Sequence, residues 1–300
     1  MISENFKVLD LSNLYHYLET NSKLNKLINI KSYICQNDRK ICSLVGSISF
    51  TLYIPQFNHS IFQILASHSL CIGTVLIEEG ITSYSNNENL YMKKKKNFLF
   101  SLFTKRFLLG NNHYYPFPEE KFLFALCMDE DCFPFLHFSR KVFIDVKRES
   151  FSEYQSKIEK KGIIFLLDSF KERTGIDNRT YLSVVESTLN IMRERDDSLF
   201  VKFHPEQSAS SRESTISFIL NNFQFKEVSI LNEDCILELE FLKHKDLTVL
   251  GMHTSLLYYA KKMGHNVYSS MKLTSKIPRI NQYIDHIMDK KQKERYLNYE

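Results

Sequence analysis

The second half of the chain alternates short apolar runs with amphipathic segments. The runs have five or six residues, and 162–167 and 199–203 are rich in Val, Ile, Leu and Phe, as is typical of strands that are buried on both faces of a parallel sheet. The predicted strands are 162–167, 199–203, 227–231, 247–252 and 266–270. The predicted helices between them are 181–195, 214–222, 234–242 and 255–263. This repetition predicts an α/β fold with a doubly wound, Rossmann-like parallel sheet.

The first half has a less regular pattern that is compatible with the same class. Leucines at helical spacing predict a helix over 12–28. β-Branched and aromatic residues predict a strand over 42–54, which a helix over 55–67 follows. The apolar run 70–77 stops abruptly at Glu78, as we expect of a buried strand that ends at a functional edge.

The length of 300 residues suits two domains of about 150 residues each. A charged stretch after Val146 marks the predicted boundary, so that the domains cover residues 1–155 and 156–300. Two Rossmann-like domains that face each other form a cleft, and ligands bind there at the carboxyl ends of the strands. A hydrophobic content of 43% and a charged content of 25% exclude a disordered or fibrous chain.

The sequence predicts a cytoplasmic protein. No apolar run is long enough for a transmembrane helix, and residues 1–7 do not have the pattern of a secretion signal. The six cysteines form no CxxC pair, which favours free thiols in a reducing compartment. The net charge of +4 is too small to predict binding to nucleic acid.

A run of four lysines precedes a segment rich in Phe and Leu, 98–109. The lysines are Lys93, Lys94, Lys95 and Lys96. Basic residues beside aromatic and aliphatic ones suit the headgroups of an anionic membrane, which predicts a peripheral position on its inner face. The alternative is a helix that buries its apolar face in the core and ends at Gly110.

The first of three polar groups at predicted strand ends is Glu78-Glu79-Gly80. Two adjacent acidic side chains point in different directions, so that one of them can face a cleft, and Gly80 allows the backbone to turn. A carboxylate in this position can act as a general base on a hydroxyl group. The alternative is an acidic loop tip.

The other two groups are suited to bind a phosphate. Pro205 keeps the preceding His204 out of helical geometry, and an imidazole with a pKa of about 6.5 can donate a proton or a hydrogen bond at neutral pH. Thr254 and Ser255 precede an apolar helix, where hydroxyls and unpaired N–H groups form an anion site. A solvated turn and a plain helix cap are the respective alternatives.

Other chemistry-bearing patterns are weak or missing. Asp129 and Asp131 have the DxD spacing that metal-dependent sugar transferases use, although an exposed acidic turn is the simpler interpretation. No His or Cys group has zinc spacing. The absence of GxGxxG and GxxxxGK[ST] argues against dinucleotide oxidoreductases and P-loop NTPases, and no GxSxG elbow occurs.

In their order, Glu78-Glu79-Gly80, His204-Pro205 and Thr254-Ser255 resemble three motifs of the bacterial sialyltransferases. Those enzymes have an acid-acid-Gly motif in the first domain, a His-Pro motif in the second and a Ser/Thr pair after it. The pattern spans 78–255, and the chain length is most similar to that of the lipooligosaccharide sialyltransferases. The resemblance implies a GT-B architecture, in which two Rossmann-like domains face a cleft.

The resemblance also implies a reaction. Sialic acid would pass from CMP-sialic acid to a terminal sugar, with galactose as the expected acceptor, on a lipooligosaccharide, O-antigen or capsule precursor. The transfer would invert the anomeric centre and need no metal ion or other cofactor.

The resemblance assigns roles to individual residues. Glu79 is the expected base, and His204 is expected to protonate or hold the leaving phosphate. The expected donor-binding residues are Gly80, Pro205, Glu238, Thr254 and Ser255, with Glu238 holding the ribose. Asp168, at the end of strand 162–167, is the second candidate base, and Glu240 is the second candidate for the ribose.

Two other functions fit the same residues. One is a different GT-B transferase that uses a CMP-activated acid sugar, such as a Kdo transferase, and the mass of the product would identify it. The other is a carbohydrate-binding subunit without catalytic activity in a polysaccharide assembly machine. Such a subunit would bind sugars without turnover and would be insensitive to the loss of Glu79.

Overall fold

The structure, a computed structural model, describes residues 23–57, 59–84, 118–144, 154–158, 162–192 and 197–299. These residues form two compact units. The first unit holds the described residues up to Glu79 and those of 118–144, and the second holds 80–84 and the described residues from 154 onward. The domain limits 1–155 and 156–300 stay a prediction, and Gly80, which was expected in the first domain, lies in the second unit.

The described part of the first unit contains four parallel strands in the order β1-β2-β3-β4. The strands are β1 Phe50–Ile54, β2 Cys71–Ile77, β3 Phe122–Cys127 and β4 Lys141–Phe143. The α-helices are α1 Lys23–Val45 and α2 Ser60–Ala66, and Glu119–Lys121 and Phe138–Arg140 form short 3-10 helices.

The strand predicted over 42–54 is wrong in its first part, because α1 continues to Val45. Ile30, Ile34 and Ile41 are buried at helical spacing along α1, which stabilises the helix in spite of its β-branched residues. Gly46 adopts φ +66° and donates its N–H to the carbonyl of Cys42 at 2.7 Å, so that the helix ends in a left-handed glycine. Of the helix predicted over 12–28, only 23–28 lie in the described residues, and they are helical.

The second unit contains the five strands and the four helices that the sequence predicts, with ends shifted by a few residues. Its strands are β5 Gly162–Leu166, β6 Ser198–Lys202, β7 Glu227–Ile230, β8 Thr248–Gly251 and β9 Asn266–Ser269. Its α-helices are α3 Phe170–Thr174, α4 Asn178–Leu189, α5 Ala209–Asn222, α6 Leu237–Lys243, α7 Ser255–Lys262, α8 Met271–Thr274, α9 Pro278–Ile287 and α10 Lys290–Leu297. Gly80–Tyr84 and Asn190–Met192 form 3-10 helices.

The described strands of the second unit form one parallel sheet in the order β7-β6-β5-β8-β9. The chain starts in the centre with β5, proceeds outward to β7, and returns to the other side of β5 with β8. The neighbours β5 and β8 therefore flank a topological switch point, outside which doubly wound sheets bind ligands. Ile163, Ile164 and Phe165 of β5 are completely buried, as we expect of a central strand with helices on both faces.

The predicted fold class, α/β with two Rossmann-like parallel sheets, is confirmed and is consistent with a GT-B enzyme. A cleft between the domains stays a prediction. In the part of the chain that the structure describes, no helix combines the length and the apolar character that are needed to cross a bilayer. All six cysteines are described there as free thiols. The basic run Lys93–Lys96 and the segment 98–109 lie outside the described residues.

Candidate functional site

A pocket of about 350 Å³ lies at the carboxyl edge of the second sheet, beside the switch point. It is lined by residues that follow β5 and β6 and by the first residues of α6 and α7. The structure thus brings together five residues that the sequence singles out: His204, Pro205, Glu238, Thr254 and Ser255. The volume is within the range of about 300–1,000 Å³ that is common for small-molecule sites.

His204 lies half-buried in the turn after β6. Its N–H donates to the side-chain oxygen of Gln207 at 2.9 Å, and its carbonyl accepts from the Gln207 N–H at 3.0 Å. Its ring atom Nδ1 accepts a hydrogen bond from the Glu206 N–H at 3.2 Å. Because Nδ1 is an acceptor, the neutral imidazole carries its proton on Nε2, which is therefore the nitrogen that can donate to a ligand.

Glu206 anchors this turn to the neighbouring strand. Its Oε2 accepts hydrogen bonds from Arg173 Nε at 2.6 Å and from Ser169 Oγ at 3.1 Å. The bond from Arg173 lowers the pKa of Glu206 below its usual value, so the carboxylate is ionised at neutral pH. Arg173 also donates to the hydroxyl of Tyr283 on α9. The His-Pro turn is therefore held by α3 and α9 as well as by β6.

Thr254 is the N-cap of α7. Its Oγ1 accepts a hydrogen bond from the Leu256 N–H at 3.3 Å, and its carbonyl accepts one from the Tyr296 hydroxyl at 3.0 Å. Since Thr254, Ser255 and Leu256 all line the pocket, the positive end of the helix dipole lies at its wall. Two hydroxyls beside the N-terminus of an eight-residue helix are suited to bind an anion.

Gly80 packs against this helix N-terminus. Its backbone has φ +61°, and its N–H donates to the Tyr259 hydroxyl at 2.7 Å. A Cβ atom at Gly80 would lie 2.9 Å from both Cβ and Oγ of Ser255, which is closer than side chains approach each other. The glycine of the acid-acid-Gly motif is therefore required both by its backbone conformation and by its contact with Ser255.

If Ser255 binds the phosphate of CMP, as the resemblance implies, Gly80→Ala should weaken CMP binding about tenfold, because the new methyl group displaces Ser255. Gly264→Ala is the matched control. Gly264 follows the other end of α7 and has φ +86°, and a Cβ atom added there would meet no neighbouring group within 4 Å. Both variants should lose about 1–2 kcal/mol of stability through left-handed strain.

Thermal unfolding and calorimetry with CMP separate the two effects of these substitutions. Only Gly80→Ala should lose affinity for CMP. Equal affinity in both variants would mean that Ser255 is not a phosphate ligand.

The two acids before Gly80 have different environments in the first unit. Glu78 continues the pairing of β2 with β3, because its N–H donates to the Leu126 carbonyl at 3.1 Å and its Oε2 accepts from the Met128 N–H at 2.6 Å. Glu79 is exposed, and its pKa is raised by partial desolvation, which the nearby His59 opposes. Glu79 is the better candidate of the two, because its side chain is exposed and its raised pKa strengthens it as a base, whereas the Glu78 carboxylate is engaged by the Met128 N–H.

The two candidates for binding the ribose, Glu238 and Glu240, also lie in different environments. Glu238 is half-buried and lines the pocket. Glu240 is completely buried, and it accepts hydrogen bonds from the Tyr154 hydroxyl at 2.8 Å and from the Lys157 N–H at 2.7 Å. Because these bonds tie 154–158 to α6, Glu240 has a structural role and is not among the residues that line the pocket.

Asp168 is buried at the end of β5. Its Oδ2 lies 3.2 Å from Nδ1 of His253, which is buried in the loop between β8 and α7. Burial alone would raise the pKa of Asp168, but His253, with smaller contributions from His204 and Arg173, lowers it below its usual value. Neither member of the pair is among the residues that line the pocket. Sequence reasoning gave His253 no role, and its only signal was its position directly before Thr254.

The DxD pattern forms an acidic turn. The side chain of Asp129 accepts a hydrogen bond from the Asp131 N–H at 3.1 Å, which stabilises the turn itself. Among the residues that the structure describes, no three His, Cys, Asp or Glu side chains are grouped so that they could hold a metal ion. A reaction without a metal ion stays a prediction.

Comparison with known proteins identifies the family. The model of the family described as Alpha-2,8-polysialyltransferase (POLYST) matches residues 3–271. No curated protein matches the sequence. The crystal structure of accessory secretory protein 1,2 and 3 in Streptococcus pneumoniae is similar to 90% of this chain, with 16% identity and a TM-score of 0.36. The similar region is 52% of that chain, so this chain spans about half of its length.

The family match covers most of the chain, whereas the finer resemblance to the lipooligosaccharide sialyltransferases is not part of it. The family's description agrees with the expected enzyme class, a sialyltransferase. The chain belongs to the alpha-2,8-polysialyltransferase family, a family of bacterial sialyltransferases.

Proposed function

We propose that this protein transfers sialic acid from CMP-sialic acid to the terminal sialic acid of a glycan and forms an α-2,8 linkage. The transfer inverts the anomeric centre and needs no metal ion. The observation that carries the proposal is the pocket of the second unit, which gathers His204, Glu238, Thr254 and Ser255 at the switch point. The family description supports the linkage and a sialylated acceptor.

The pocket suits the leaving group of this reaction. CMP departs as a phosphate monoester, which carries less charge than a nucleoside diphosphate. The Nε2–H of His204, the hydroxyls of Thr254 and Ser255 and the N–H groups of α7 can stabilise that charge through directed hydrogen bonds. Glu238 lies in the same pocket, where its carboxylate can accept hydrogen bonds from the ribose hydroxyls.

Glu79 is the proposed general base, which removes the proton from the acceptor hydroxyl. It directly precedes Gly80 in the sequence, and its raised pKa favours proton abstraction. Asp168 is the second candidate, with weaker support, because its carboxylate is buried and paired with His253.

The acceptor decides between the proposal and its alternatives. The purified chain is incubated with CMP-sialic acid and with two matched oligosaccharides, one ending in sialic acid and the other in galactose. Product masses are recorded with and without excess EDTA. We expect sialic acid units to be added to the sialylated acceptor at an undiminished rate in EDTA.

Other outcomes contradict the proposal in distinct ways. Product on the galactose acceptor alone would indicate a lipooligosaccharide, O-antigen or capsule sialyltransferase. Transfer from CMP-Kdo but not from CMP-sialic acid would indicate a Kdo transferase, and sugar binding without any transfer would indicate a non-catalytic subunit. Activity that is lost in EDTA and restored by manganese would indicate that Asp129 and Asp131 bind a catalytic metal ion.

We also propose that the protein acts on the inner face of the cytoplasmic membrane as a peripheral protein. The support comes from the sequence alone, namely Lys93–Lys96 beside the apolar segment 98–109. Glycan acceptors that are carried on lipids would be reached from such a position. The electrostatic part of this attraction falls with increasing salt, because the Debye length shortens.

A further inference from the structure

We infer that Asp168 and Ser169, adjacent residues at the end of β5, position both phosphate-binding motifs of the donor pocket. Asp168 acts through His253 on Thr254 and Ser255, and Ser169 acts through Glu206 on His204. The inference rests on the proposed function, because it takes these motifs as phosphate ligands. It gives Asp168 and His253 a positioning role outside the pocket.

The Asp168–His253 pair holds the start of α7. His253 directly precedes the N-cap Thr254, so a bond from its Nδ1 to Asp168 Oδ2 at 3.2 Å fixes the loop between β8 and α7 to the end of β5. The two side chains are only 8% and 3% exposed. A rigid loop fixes in turn the directions of the Thr254 and Ser255 hydroxyls.

A geometric role explains this pair better than a stabilising one. Among the described residues, Asp168 Oδ1 and His253 Nε2 are buried and have no hydrogen-bond partner. Buried polar atoms without partners cost free energy, and buried ion pairs are often no more stabilising than apolar side chains of the same volume. Such pairs can instead select one conformation of the groups around them. A phosphate site requires this, because its hydrogen-bond donors must be held in fixed directions.

The second connection starts at Ser169. This completely buried side chain donates a hydrogen bond from its Oγ to Glu206 Oε2 at 3.1 Å, where Arg173 Nε also binds. The Glu206 N–H then donates to His204 Nδ1 at 3.2 Å and keeps the imidazole proton on Nε2. The anchored carboxylate thus holds Glu206 in place, and the Glu206 N–H fixes the tautomer and the orientation of His204.

The topology explains why two adjacent residues reach both motifs. β5 pairs with β6 on one side and with β8 on the other, and the His-Pro turn and the α7 N-terminus follow those two strands. Residues directly after β5 therefore lie between the two motifs. Together they fix the imidazole and the hydroxyl pair, which line the same pocket, relative to each other.

The experiment compares CMP with cytidine, which lacks only the phosphate. Affinities of both ligands are measured by calorimetry for His253→Ala, His253→Asn and Ser169→Ala. We expect His253→Ala to weaken CMP binding about tenfold or more and to leave cytidine binding unchanged. His253→Asn should recover most of the affinity, since its amide N–H replaces Nδ1–H toward Asp168. Ser169→Ala should show the same loss for CMP alone.

His265→Ala is the matched control, because His265 is another buried histidine of the second unit. Its Nδ1 accepts from the Leu247 N–H at 3.2 Å, and it does not line the pocket. Thermal unfolding accompanies the binding data for every variant. We expect His265→Ala to lose stability while the ratio of CMP to cytidine affinity stays that of the wild type.

Two results would overturn the inference. In the first, His253→Ala loses CMP affinity and cytidine affinity equally. In the second, CMP affinity stays unchanged in both His253→Ala and Ser169→Ala. If His253→Ala does not fold, wild-type CMP affinity in Ser169→Ala overturns it. Asp168→Asn with normal CMP affinity but no transfer would make Asp168 the base instead. A wild-type chain that binds no CMP contradicts the proposed function itself, which is a separate result.

Discussion

Glu79→Gln is expected to lower sialyl transfer by about 10² or more while CMP binding stays close to that of the wild type. Glutamine keeps the shape of the side chain but cannot accept the proton of the acceptor hydroxyl. CMP is unaffected because its proposed ligands lie in the pocket of the second unit, among them His204 and Ser255. Initial rates and calorimetry with CMP measure the two quantities on the same preparation.

Glu78→Gln is the matched control for this prediction. A glutamine oxygen at position 78 can still accept the hydrogen bond from the Met128 N–H, so the variant should keep most of its turnover. Near wild-type turnover in Glu79→Gln would place the base elsewhere, and Asp168→Asn would then be the next variant to measure.

His204→Ala is expected to lower both quantities. The proposed phosphate contact of Nε2 stabilises bound CMP and also the charge that develops on the leaving group. Transfer should therefore fall by about 10²–10⁴ and CMP affinity by about tenfold or more. Cytidine binding should stay unchanged, because the imidazole contacts only the phosphate. If the variant binds CMP and turns over as the wild type does, the His-Pro motif is only a structural turn and does not contact the phosphate.

His204→Gln separates the two roles that remain open for this residue. A glutamine amide can replace the hydrogen bond that Nε2 donates, but it cannot supply a proton. Recovered CMP affinity with low turnover would show that His204 protonates the leaving phosphate. Recovery of both quantities would show that a hydrogen bond is sufficient.

The second unit was predictable from sequence because its inner strands β5, β6 and β8 are largely apolar runs with clear ends. The helix predicted from residue 214 nevertheless begins at Ala209, where Ser208 caps it by accepting from the Ser211 N–H at 3.3 Å. Its first turns are serine-rich and mostly polar, so they lack the apolar spacing that marks a helix. Polar helix starts are visible only through their caps.

The grouping of the site residues depends on information that the sequence does not contain. His204, Glu238 and Ser255 could each be placed near a strand end or a helix start, but their common pocket follows from the strand order. The pair of Asp168 with His253 depends on the same order, because β5 and β8 become neighbours only in the folded sheet. Glu78 and Glu79 are alike in sequence, and the structure distinguishes them by the hydrogen bond that Glu78 accepts from the Met128 N–H and by the greater exposure of Glu79.

The position of β5 in the centre of its sheet also has a consequence for folding. Its partner β8 begins at Thr248, so the pocket cannot exist until a long intervening segment has been closed into the sheet. Contacts between residues so distant in sequence form slowly, and partly folded chains lack the proposed binding site for the nucleotide. If CMP binds there as proposed, it will stabilise only the completed second unit, by mass action, and CMP binding will report the folded fraction of a preparation.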